Sequence, residues 1–114
     1  MFETALNNPE VIEEGHGDDW FYIKYSNGYV LQGAATSTTS ANPFFNFPVV
    51  MADNKYVITT TYDWQTTSQN GVFASCVASR QTTGIQNLII GRTGQTGVAF
   101  YGGLTFYIVY GKYA

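Results

Sequence analysis

From Trp20 onward, apolar and aromatic residues recur at every second position, in runs broken by Gly, Asn, Thr and Ser. A two-residue period marks strands with one buried face, and it excludes a helical bundle. The clearest pair is WFYIKY, 20–25, and YVLQGAA, 29–35, separated by Ser26-Asn27-Gly28. An Asn-Gly pair between aromatic runs predicts a hairpin, because both turn positions need positive φ. FFNFPVV, 44–50, reads as extended, with Pro48 marking an edge or a bend. Within 55–64, Tyr56, Ile58, Thr60, Tyr62 and Trp64 share one face, and Val57, Thr59, Thr61 and Asp63 the other. Further strands are expected over 72–79 and 85–91, and the closing run 104–113 is apolar on both faces. About seven strands with turns at short intervals predict an all-β fold, an antiparallel β-sandwich.

The leader is different in kind. Glu3, Glu10, Glu13, Glu14, Asp18 and Asp19 place six of the eight acids before residue 20, while all five basic residues follow it. Asn8 before Pro9 resembles a helix cap with acids in the next turn, and Gly15 and Gly17 read as its end. The expected organisation is therefore a partly helical or extended acidic leader over 1–19 and a sandwich over 20–114. A chain of 114 residues is the size of one domain.

Charge excludes several functions. Asp, Glu, Lys and Arg make up 11% of the chain, against about 25% in ordinary soluble domains. Nucleic-acid binding needs clustered Lys and Arg to displace counterions, and no such cluster exists. No apolar run approaches the ~20 residues of a membrane span, so no membrane insertion is expected. The single cysteine, Cys76, has no partner for an internal disulfide and is expected as a small buried hydrophobe.

Catalysis finds little to work with. After residue 20 the only carboxylates are Asp53 and Asp63, and Asp53-Asn54 reads as a turn. The one histidine, His16, lies between glycines and beside acids, where it reads as an exposed linker residue. Three copies converging on one ion through His16 is the remaining alternative; otherwise no metal site is expected. No phosphate-cradling glycine motif precedes a helix, so no cofactor is expected. What stands out is an aromatic content of 17%. Aromatics within strands read as core or subunit interface. Those at strand ends and in loops, Trp64, Phe100 and Tyr101, are expected to stack on sugar rings beside Gln95 and Asn70.

The order of motifs resembles a known family. "NNPEVIEEG" is followed by "DDWFYIKYSNGYVLQGAA", then a polar loop, "FFNFPVVMADNKYVITTT", "SRQTTG" and a terminal "FYIVYGKYA". This resembles the C-terminal tip domains of bacteriophage and prophage tail fibres and related receptor-binding tail proteins, from about residue 7 to 114. One departure is Gln32-Gly33, where many relatives have a Trp-Gly pair. The resemblance implies a homotrimeric β-sandwich in the virion, joined by the leader to an upstream fibre shaft. It implies host adsorption through a bacterial surface glycan or outer-surface protein, without cleavage. Burial of the two-sided strand 104–113 and part of the first hairpin between copies would follow. A purely structural trimerisation or capping domain, with no receptor contact, is the alternative.

Overall fold

The computed structural model describes residues 9–37, 42–63, 71–93 and 103–114. They form eight strands: β1 Val11–His16, β2 Trp20–Tyr25, β3 Tyr29–Ser37, β4 Phe44–Asn46, β5 Val57–Asp63, β6 Gly71–Arg80, β7 Gly84–Thr93 and β8 Leu104–Lys112. All pairings are antiparallel, in a five-stranded sheet ordered β1-β2-β3-β8-β5 and a three-stranded sheet ordered β4-β7-β6. The all-β expectation is met. Among the described residues no helix is long and apolar enough to cross a membrane.

The first hairpin forms as predicted, with a different turn. The Gly28 amide donates to the Tyr25 carbonyl at 3.1 Å, so Ser26 and Asn27 are the central pair. Gly28 follows at φ 86°, and Asn27 Oδ1 accepts from the Tyr29 amide at 3.1 Å. This is a longer connection than a two-residue turn, with the left-handed glycine placed after the reversal.

The strand count and the leader need correction. Val11–His16, in the leader expected as partly helical or extended, is an eighth strand paired with β2 from Val11↔Tyr25 to His16↔Phe21. Gly15 and Gly17 do not end a helix; they make room for rings. A Cβ on Gly15 would come within 2.9 Å of Tyr22 Cζ, and one on Gly17 within 2.7 Å of Trp20 Cε2. From Val11 the acidic segment is paired with β2 in the five-stranded sheet.

The facing sides of the two sheets share one core. Val30, Tyr107 and Val109 from the larger sheet pack with Phe45 and Ile85 from the smaller, and with Phe47, Met51 and Tyr56 from the connection between β4 and β5. Phe47 bridges Tyr56, edge-on at 5.2 Å, and Tyr107 at 5.7 Å, favourable aromatic arrangements. Strict alternation decides which residues enter. Along β8, Thr105, Tyr107, Val109 and Gly111 are buried, while Phe106, Ile108 and Tyr110 point outward and remain exposed.

The same rule overturns the expectation for Cys76. On β6, Ser75 and Val77 face inward, so Cys76 falls on the outer side and is exposed. Its apolar neighbours in sequence are consistent with a buried strand, but β6 is a sheet edge covered on one side only. Ser75 instead occupies the interior position, its Oγ 2.8 Å from Thr60 Oγ1 and accepting from Asn87 Nδ2 at 2.9 Å.

Candidate functional site: an aromatic cleft between the sheets

Two strands begin with aromatic residues at the same end of the molecule. Trp20 opens β2 and Phe44 opens β4, and their side chains stay 40% and 38% exposed. The Trp20 indole lies across Gly17 and is stacked parallel to the Tyr22 ring, centroids 6.3 Å apart and planes within 2°. A turn closed by the Gly17 amide on the Trp20 carbonyl, 2.9 Å, holds Asp18 and Asp19 at its tip. The Ala35 amide donates to the Asp19 carbonyl at 2.8 Å, so this tip is fixed to β3. Phe44 is positioned from the other sheet, its ring against Gly84.

Between these residues lies a cleft of about 520 Å³, with Asp19, Trp20, Thr36, Phe44 and Asn46 at its walls and Tyr107 among the residues beneath. That volume falls in the ~300–1,000 Å³ range of small-molecule sites. Tyr107 is buried, stacks on Phe45 at 5.9 Å, and donates its hydroxyl to the Asn46 carbonyl at 3.1 Å. Burial pushes its phenol up to about 12, so it remains a hydrogen-bond donor throughout the neutral range. Tyr22 is tied to β1 by a 2.6 Å bond from its hydroxyl to Glu13 Oε2. That bond, with Lys24 Nζ 3.6 Å from the same carboxylate, holds Glu13 below its ordinary carboxyl value, and the bond to the Glu13 carboxylate raises the Tyr22 phenol.

Chemically, the cleft offers broad ring faces flanked by a carboxylate, a carboxamide and a hydroxyl. Aromatic faces suit the apolar C–H faces of sugar rings, and the polar groups suit their hydroxyls. Asp53 and Asp63 are not brought together: Asp53 Oδ1 accepts the Lys55 amide at 2.8 Å before β5 begins, and Asp63 ends that strand. Seven residues of strand span ~20 Å, beyond the reach of a paired-carboxylate mechanism. His16, Asp18 and Asp19 form no three-ligand cluster, and no such group of His, Cys, Asp or Glu exists among the described residues.

All five predicted sugar contacts, Trp64, Asn70, Gln95, Phe100 and Tyr101, lie outside the described residues. The residues that do form a cleft, Trp20 and Phe44, were missed. Both satisfy the criterion applied to Trp64, an aromatic at a strand terminus, but their place in early strands reads as core or interface. Neither a family model, nor a curated protein, nor a solved structure matches the chain.

Proposed function

We propose that the chain is a non-catalytic tip domain of a bacteriophage or prophage tail fibre, a trimeric β-sandwich that binds a bacterial surface glycan during host adsorption. In this reading it acts outside the cell as part of the virion, with its leader continuing towards a fibre shaft. The observation that carries the reading is the cleft, where two exposed aromatic faces stand beside Asp19, Thr36 and Asn46. Trp20→Ala and Phe44→Ala should each weaken glycan binding by roughly tenfold, about 1–2 kcal/mol for a lost stacking face. Each ring is also more than half buried, so the urea midpoint should fall modestly, and binding is compared without denaturant where both variants are folded. Glycan-array binding unchanged in both variants would rule out the cleft as the binding site.

A second observation favours self-association, the structural alternative. The outward side of the five-stranded sheet places Ile23, Leu31, Phe106, Ile108 and Tyr110 on one face with Val57, which is 71% exposed. A face of this kind, apolar at its centre with Glu14, Asp63 and Lys112 towards its margins, fits another copy of itself better than a strongly charged partner. Light scattering should give the mass of three chains, and Ile108→Lys the mass of one. A single-chain mass for the parent protein at high concentration would contradict the trimer. A trimer that binds no glycan would favour the capping role.

A further inference from the structure

We infer that the cleft takes a glycan bearing a free amine, with the ammonium held between the Asp19 carboxylate and the face of Trp20. This rests on the glycan-binding reading above and adds the charge of the ligand. The described residues around the cleft include Asp19 and neither lysine nor arginine. A second hollow of about 390 Å³, which shares Asp19 and Trp20 with the cleft, is lined also by His16 and Asp18, and again by no lysine or arginine among the described residues.

Asp19 is exposed, and its carboxylate makes no hydrogen bond or ion pair among the described residues. The basic side chains with defined contacts are engaged elsewhere. Lys24 sits 3.6 Å from Glu13 and over the Tyr113 ring, and Arg80 donates to the Tyr56 carbonyl beside the Tyr56 ring. An acidic sugar entering the cleft would bring its charge to Asp19 with no compensating cation, whereas carboxylate- and phosphate-binding sites rely on Arg or Lys. A neutral sugar gains only ordinary hydrogen bonds. A protonated amine gains a charge-assisted bond to Asp19 and a cation–π contact with an indole, the strongest aromatic partner for a cation. Gly17 gives that indole its seat, so the two groups share one rigid turn.

Calorimetric titration of the intact chain should compare a glucosamine oligosaccharide with its fully N-acetylated counterpart, in mildly acidic buffer where the amines are protonated. The amine form is expected to bind roughly tenfold tighter, the scale of one charge-assisted contact. Asp19→Asn should abolish that preference. Glu10→Gln, which removes the same charge from an exposed residue just before β1, should preserve it. Equal or tighter binding of the acetylated form overturns the inference, as does a preference that survives Asp19→Asn or is lost equally in Glu10→Gln. If neither probe binds while another glycan does, the amine inference fails and the glycan-binding reading stands. If no glycan binds, both fail.

Discussion

Gln32→Glu should destabilise the chain by about 3 kcal/mol or more at neutral pH, on the scale of breaking a buried hydrogen-bonded group and introducing an unpaired charge. Gln32 is completely buried, and its side chain acts as a strand would. Its Oε1 accepts the Val49 amide at 2.8 Å, and its Nε2 donates to the Val49 carbonyl at 3.0 Å, with Met51 Sδ also at 3.0 Å. That pair of bonds fastens β3 to the connection after β4, where the backbone lacks a neighbouring strand. A carboxylate keeps the shape but turns one donor into an acceptor facing a carbonyl. Burial should raise the folded-state pKa of the introduced carboxyl group above its unfolded value. Stability is then highest below the unfolded carboxyl value near ~4.3 and is lost as pH rises through the folded one. Gln32→Leu, which removes both partners of Val49 without adding charge, should cost about 2–3 kcal/mol with little pH dependence. Urea denaturation of the two variants at acid and neutral pH measures both effects. A glutamate variant within ~0.5 kcal/mol of the parent at neutral pH would mean that this clasp contributes little, since that is the scatter of inert surface changes.

Gly84→Ala should be the other severe change. A Cβ at Gly84 would run into the Phe45 carbonyl and come within 2.9 Å of the Phe44 ring. The carbonyl is backbone and has nowhere to move, because Phe45↔Ile85 and Asn46↔Gly84 are paired across it. The Gly84 carbonyl also accepts the Gln81 amide at 2.9 Å, which closes the turn into β7. Relief therefore requires β4 to lift off β7, exposing Phe45 and opening one wall of the cleft. The expected cost is about 3 kcal/mol, at the upper end for overpacking, and glycan binding should fall with it. Soluble, folded protein with an unchanged urea midpoint would show that the two strands have slack between them.

Local patterning made much of the architecture legible. Asn27-Gly28 pointed to the first hairpin, the alternation of 57–63 to the inward Ile58, Thr60 and Tyr62, and the two-sided run 104–113 became a central strand with an outward apolar face. β1 was opaque because nothing in VIEEGH alternates, while Pro9 and the acids imitate a helix start. Its strand state comes from pairing with β2, where Glu13 meets the Tyr22 hydroxyl and Lys24. Cys76 was misread for a related reason: apolar neighbours do not say which face of an edge strand is covered. The cleft was invisible for a third reason. Trp20 and Phe44 belong to different sheets, and their approach depends on how those sheets pack, which no local pattern encodes. Gln32 shows the same limit, since a polar residue in a strand gives no sign that its partner is Val49.

Non-catalytic glycan binding is best tested by incubating the purified chain with an array of bacterial surface polysaccharides, then following binding and the length of each bound glycan. Saturable binding to at least one polysaccharide is expected, with the glycan recovered at its original length and binding lost in the Trp20→Ala, Phe44→Ala double variant. Binding to none, or recovery of shortened chains, would contradict a non-catalytic receptor-binding tip.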